Sequence, residues 1–412
     1  MRLSFFDLTE LELTKDYVDS VALTATDYSH PVIVLNSNNE LFFKENIENG
    51  FNVDYIVNSE IIIEDIITLY CVLFNLSDYN LVSVDEAGCA SIETKNNTLH
   101  FKEQSSLVAI NREFNVKAKA VKEKLSSEKL SNIWSLYSSY IFSIKSRELD
   151  FLTGQSFMDS IDLYDRATDD TIDILKIKEL TNLIEYYKAK NKEFNFAFDD
   201  YLSDKVSSIE SFVSDNLTNS GELRQISSFP VSYKYLSSFL YIAAKEMYFS
   251  QNITASYLMI FRSFETYCEG MLISRNKAKV EKYKNKGNCF LLEQEGKYQK
   301  TLGFGNKWGV IKEAGFFRGC EKQIYDNLSK HKDIRNILQF THGDVLVNSE
   351  LLYHFDAAVK AMITHFDCIG AQEKFKWESV MERIKSAFVY NPMPYVAKQL
   401  ITESGLYLKK YS

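Results

Sequence analysis

The stretch whose reading decides the fold is His331-Lys332-Asp333-Ile334-Arg335-Asn336-Ile337-Leu338-Gln339-Phe340-Thr341-His342-Gly343-Asp344. The surrounding spacing predicts a helix over 321–340. If the helix continues through the motif, Arg335 and His342 stand within roughly 20° of one direction and two turns apart. Ile324, Leu328 and Leu338 project from the same face, so an arginine and a histidine occupy a stripe that should otherwise be apolar. Polar side chains on a buried stripe need partners, and a cleft between subunits is one place to find them.

The pair suits RNA cleavage. Internal transesterification needs a base for the ribose 2′-hydroxyl, an acid for the leaving oxygen and positive charge on the phosphorane. Histidine titrates in the range for proton transfer. Arginine supplies a permanent charge and a planar fork for phosphate oxygens. That scheme calls for no metal and no cofactor. The plainer alternative pairs Arg335 with Asp333 or Asp344 and leaves His342 interacting favourably with the helix end.

At these residues the chain resembles the HEPN superfamily of ribonucleases. Its nuclease members carry an arginine, often followed by asparagine, then a histidine after four to six residues, often followed by glycine. Arg335, Asn336, His342 and Gly343 match, at the long end of the spacing. An earlier family helix often bears a glutamate near the active arginine, and Glu265 in Phe261-Arg262-Ser263-Phe264-Glu265 stands at the matching position. Thr301-Leu302-Gly303 resembles a family connection between the two helices. The resemblance covers about 254–366. It implies a helical bundle, a homodimer that brings two motifs together, and metal-independent endoribonuclease activity in antiviral defence or a toxin system. On that reading Arg335 stabilises phosphate charge, His342 transfers a proton or positions phosphate, Asn336 orients the pair and Glu265 holds Arg335. The alternative is a catalytically inactive HEPN-like dimer that binds RNA or a protein.

Other residues near the motif have two readings each. Glu265 is equally placed for an ion pair with Arg262, three residues away. Gln339 could support either motif side chain or simply form a polar edge. Lys277, Lys279, Lys282, Lys284 and Lys286, with Arg275 and Tyr283, form a basic run that would serve as an RNA track or as solvated loop charge. Gly303-Phe304-Gly305-Asn306-Lys307-Trp308-Gly309 lacks the hydroxyl residue and preceding strand of a phosphate loop, and is read as a tight connection that lets Trp308 pack.

Outward from this region, Thr254 is expected to cap a helix over 255–273. Tyr257, Phe261, Phe264, Cys268 and Met271 lie on one face of it. A basic, glycine-containing connection should run to about Gly309, with further helices at 350–366 and 372–388 completing a bundle. Before it, 116–125, 127–144 and 174–190 show helical spacing, and Trp134, Tyr137 and Tyr140 form a core aromatic stripe. Strands are expected at 21–25, 32–35, 81–84, 90–93 and 107–110, around a helix over 60–76 capped by Ser59. The overall class is therefore α+β, in three parts. Residues 1–114 form an α/β domain open to a Rossmann-like reading, 115–229 a helical middle region, and 230–412 a HEPN-like helical domain.

Composition sets outer limits. The chain has 412 residues, 45% of them hydrophobic and 25% charged, which suits two or three globular domains. A formal net charge of −9 excludes binding of nucleic acid by the protein's overall field, so RNA contact requires a local basic patch. Cys71, Cys89, Cys268, Cys289, Cys320 and Cys368 form no CxxC pair, which fits a reducing cytoplasm. His331, His354 and His365 are read as packing or surface residues. No signal peptide and no membrane-spanning run is expected. There is no GxGxxG fingerprint and no Walker lysine–serine pair. The α/β part nonetheless invites comparison with CRISPR-accessory nucleases that join a nucleotide sensor to HEPN, which would imply a small nucleotide ligand; a regulatory protein is the other expected partner.

Overall fold

The structure, a computed structural model, describes residues 1–47, 54–57, 61–85, 87, 89–153, 178–194, 203–207, 230–283, 287–300, 303–338, 346–367, 376–389, 391–406 and 409–410. The chain divides into two compact units. The first holds Met1–Glu103, Ile110–Ile144 and Asn391–Ser412, and the second Gln104–Ala109 and Lys145–Tyr390. The chain's last segment thus belongs to the first unit.

The first unit is built on Ser4–Leu8 (β1), Pro31–Leu35 (β2), Asp54–Val57 (β3) and Asp78–Val84 (β4). These are mutually parallel, and Ala90–Asn96 (β5) joins β4 antiparallel. The helices between them are Lys15–Ala25 (α1), Ser37–Asn46 (α2) and Ile63–Leu73 (α3). Phe5, Phe6, Ile33 and Val34 are all buried. A parallel strand covered on both faces is apolar without alternation, which explains why β1 lacks the period-two signal. The strand order β5-β4-β1-β2-β3 places a topological switch point between β1 and β4. The α/β expectation therefore holds, with corrections to its elements.

Residues 21–25 are helix rather than strand. Val18, Val21, Ala22 and Ala25 give α1 one buried face, and Thr14 caps it. Residues 107–110 also belong to a helix, Leu107–Lys124 (α4), whose first amides meet the Glu246 carboxylate at 2.8 and 2.9 Å. Ser59 lies outside the described residues; α3 begins after Ile62, which supplies no side-chain cap. It stops at Leu73 because Asn75 turns left-handed (φ 49°) and the Leu76 amide bonds back to the Cys71 carbonyl at 2.9 Å. After α4 comes Glu128–Thr153 (α5), where Trp134, Tyr137 and Tyr140 are buried as expected. Lys178–Phe194 is α6.

The second unit continues with Val231–Phe249 (α7) and Ile253–Ser274 (α8). Asn252, two positions before the expected Thr254, caps α8 through a 3.2 Å bond from the Ala255 amide. The expected connection is instead a three-stranded antiparallel sheet, Ala278–Tyr283 (β6), Gly287–Gln294 (β7) and Lys297–Lys300 (β8). Ala278 and Val280 are buried while Lys279 and Glu281 are not. The outward charges disguise a period-two strand as a basic loop. Phe304–Glu313 (α9), Lys322–Asn336 (α10), Ser349–Asp367 (α11) and Trp377–Phe388 (α12) follow. One core joins Tyr257, Phe261, Phe264, Trp308, Leu328, Phe355 and Trp377.

Met393–Glu403 (α13) returns to pack on α3, and Lys409–Lys410 (β9) pairs antiparallel with β3. The Tyr70 hydroxyl donates to the Leu406 carbonyl at 3.0 Å, and Tyr137 bonds to Glu403. Val396, Ala397, Leu400 and Ile401 form the buried face of α13. A sequence shows that such a face must be covered, but not by what. Leu400→Ala should therefore destabilise the first unit by about 2–4 kcal/mol. It should also speed amide exchange in α3, measured by urea unfolding and hydrogen–deuterium exchange.

Candidate functional site

Arg335 lies in the last turn of α10, half-buried, and Asn336 is its exposed final residue. The helix ends there because Ile337 leaves the helical path and bonds only to the Ile334 carbonyl, at 3.0 Å, while Leu338 is fully buried. The helix expected to run to Phe340 thus stops at Asn336. The helical phase that was to put His342 beside Arg335 does not extend to that residue. Gln339, His342, Gly343 and Asp344 lie outside the described residues.

The stripe on α10 is real as far as Arg335. Leu328 and His331 are 2% and 3% exposed. The Tyr257 hydroxyl of α8 stands 3.0 Å from His331 Nδ1 and 3.2 Å from the His331 carbonyl oxygen. The imidazole stacks on Phe355 of α11, with centroids 4.6 Å apart and 29° between planes. One turn later, the Arg335 guanidinium carbon sits 5.1 Å from the centre of the Phe261 ring. Phe261 is one turn after Tyr257 on α8. A guanidinium over an aromatic face keeps its charge while shedding part of its hydration, which suits a cation held at the edge of a core.

Burial, reinforced by Lys330 and His354, lowers the His331 pKa from 6.5 to about 4. This imidazole is therefore neutral near pH 7 and belongs to the packing, as the sequence suggested. His354 is exposed and His365 half-buried.

Glu265 comes one turn after Phe261 and is 6% exposed. Lys307 of α9 approaches its Oε1 at 2.7 Å, and Arg262 its Oε2 at 3.0 Å. Lys307 also meets Glu269 at 2.5 Å, and Arg262 reaches Glu269 at 3.6 Å. Burial alone would raise the Glu265 pKa, but Lys307 and Arg262 outweigh it and hold the group below the usual carboxylate range. Lys307 is likewise penalised by burial and held cationic by Glu269 and Glu265. Both oxygens of Glu265 are thus engaged by these cations, so the alternative ion pair with Arg262 is observed, and Arg335 packs on Phe261.

Sequence reasoning passed over Lys307. Its signal was Glu265 and Glu269 together on an apolar helix face, an arrangement that demands more cation than Arg262 alone supplies. Trp308, its neighbour, packs as expected, stacking 5.6 Å from Tyr325.

The lysine run is divided. Lys277 pairs with Glu293 at 2.6 Å, and Lys279 with Glu281 at 2.5 Å while facing the Tyr298 ring at 4.5 Å. Lys282 follows on β6. Lys284 and Lys286 lie outside the described residues.

In the first unit a cavity of about 430 Å³ opens over the β1–β4 pair. Asp7, Glu64, Thr68, Tyr79, Lys95 and Lys124 are among its polar lining residues. It lies at the switch point, within the usual size range for small-molecule sites. No helix among the described residues is long and apolar enough to cross a membrane.

Two outcomes follow from the buried charges. The unfolded chain protonates histidine near 6.5, whereas the fold holds His331 down to about 4. His331 therefore costs no stability above pH 6.5. As pH falls from 6.5 toward 4 it destabilises the fold by at most about 1.4 kcal/mol per unit. The stability advantage of wild type over His331→Phe should accordingly shrink across that window, read from urea midpoints. Lys307→Met should cost about 3–5 kcal/mol by leaving two carboxylates short of a buried partner, measured the same way at pH 7.

The chain matches no protein-family model and no curated protein sequence. Among solved structures it is similar to Csm6 from Enterococcus italicus, bound in that structure to cyclic hexa-2′-fluoro-hexa-dAMP. The two share 10% identity and a TM-score of 0.31, over 94% of this chain and 99% of that one. A likeness at that score defines neither the fold nor the activity of this chain.

Proposed function

We propose that this protein is a metal-independent endoribonuclease of the HEPN type, acting in antiviral defence or a toxin system. The observation that carries the reading is the position of Arg335. Its guanidinium is half-buried in the last turn of α10 and rests on α8, the helix that bears Glu265, just before the His342-Gly343 segment. A permanent cation at a helix end, desolvated on one side, is well placed to stabilise a phosphorane. His342 would move the proton of the 2′-hydroxyl or of the leaving oxygen, or position phosphate, and Asn336 would orient the Arg335–His342 pair. A homodimer would bring two such motifs to one RNA. Glu265 acts on this reading through the charge network with Lys307 and Arg262.

The first unit would regulate cleavage by taking a small nucleotide ligand, a reading favoured by the cavity at the β1–β4 switch point. The lining lysines would meet phosphate and the carboxylates would meet amino groups of a base.

Arg335→Ala and His342→Ala should each lower the cleavage rate of a fluorescent RNA at least about 100-fold, with thermal midpoints close to wild type. Full activity in both variants would overturn the nuclease reading. Binding of the RNA without cleavage by wild type would favour the inactive HEPN-like module instead.

A further inference from the structure

We propose that His331 and Tyr257 are positioning residues that set the place of Arg335, through two stacked rungs joining α10 to α8. This rests on the nuclease reading and extends it to residues outside the Arg335–His342 motif. The first rung is Tyr257 with His331, the second Phe261 with Arg335. Tyr257 and Phe261 are four residues apart on α8, and His331 and Arg335 four apart on α10. The rungs therefore keep the same helical step, about 6 Å along each axis. Phe355 of α11 closes the ladder from the third side. Its ring lies 4.6 Å from both Tyr257 and His331, and 6.1 Å from Phe261 at 26°.

The first rung has directional content that the second lacks. A guanidinium over a ring tolerates sliding across the face, so Phe261 by itself fixes Arg335 only loosely. The Tyr257 hydroxyl, by contrast, meets two atoms of one residue, Nδ1 and the carbonyl oxygen of His331. With one hydroxyl proton, either Tyr257 donates to Nδ1, or it donates to the carbonyl while Nδ1–H donates to it. The first needs a neutral imidazole and holds the side chain alone, whereas the second satisfies both contacts and pins side chain and backbone of α10 together. A shift of α10 by one residue would rotate His331 away by about 100° and break both bonds. Tyr257 and His331 are 0% and 3% exposed, so water does not replace what is lost. The arginine one turn on inherits this register. Misplacement of a charge by about 1 Å can cost about 100-fold in rate, so a modest loosening should be visible in turnover.

The test uses the full chain and a fluorophore–quencher RNA of mixed sequence. Tyr257→Phe removes only the hydroxyl. His331→Phe removes the ring nitrogens and keeps a ring to stack on Phe355. Each should lower kcat about tenfold with KM within about twofold of wild type, since RNA contacts are untouched. Thermal midpoints report folding, and amide exchange across 332–336 should be faster in both variants. Wild-type kcat in both, with Arg335→Ala inactive, overturns the proposal and leaves the nuclease reading intact. A raised KM at unchanged kcat also overturns it, because that marks a binding role. Full activity of Arg335→Ala overturns the nuclease reading itself. In that case, unchanged exchange across 332–336 in Tyr257→Phe rejects the register role as well, and faster exchange supports it.

Discussion

Charge buried along the helices of the second unit is the constraint on which its arrangement depends. A carboxylate taken out of water must be matched, and Glu265, Glu269, Asp367 and Glu148 each draw at least one partner from another element. Glu265 and Glu269 of α8 take Lys307 from α9. Asp367 at the end of α11 accepts from Lys234 of α7 at 3.0 Å, from Tyr267 of α8 and from the first amide of α12. Glu148 of α5 holds Lys145 at 3.2 Å and Lys205 at 2.7 Å, and Tyr187 of α6 donates to it at 2.8 Å. Both lysines also donate to carbonyls that end α12, where the helix dipole is negative. Such clusters add little net stability compared with apolar packing. Breaking one is nevertheless costly, so they reject alternative packings of helices that would otherwise slide on aromatic faces.

This also explains what could be read in the sequence. The amphipathic helices α8 and α11 were legible because their apolar residues recur at three and four positions, and both were placed within two residues. Strands β1 and β3 were not, since strands buried on both faces have no alternation to detect. Residues 21–25 and 107–110 are β-branched or aliphatic runs whose partners at helical spacing lie outside the run itself, in Val18 for the first and in Phe114 and Ala118 for the second. Local propensity then favours strand, and tertiary packing overrides it. The return of α13 to α3 is a contact more than three hundred residues apart, and no local pattern encodes it.

The candidate site was legible in part for the same reason. Arg335 and Glu265 betrayed themselves as charges on apolar stripes, and the stripes proved buried. The end of α10 did not, because Ile337 and Leu338 are good helix residues and nothing in their chemistry stops a helix. What stops it is the burial of Leu338, which draws the chain into the core. The polar partners were harder still. Lys307 sits in a glycine-rich run that looked like a connection, and the basic strand β6 looked like a loop.

The gradient along α8 gives the site its logic. Tyr257 makes a neutral, fully buried contact, Phe261 meets a half-buried cation, and Glu265 lies within a network of two acids and two bases. Each step is one helical turn. A cation introduced at the first rung would face the full desolvation penalty that keeps His331 neutral. At the third it would crowd Lys307 and Arg262. The second rung is thus the place on this stripe where an arginine can remain charged while an aromatic ring holds it on one side.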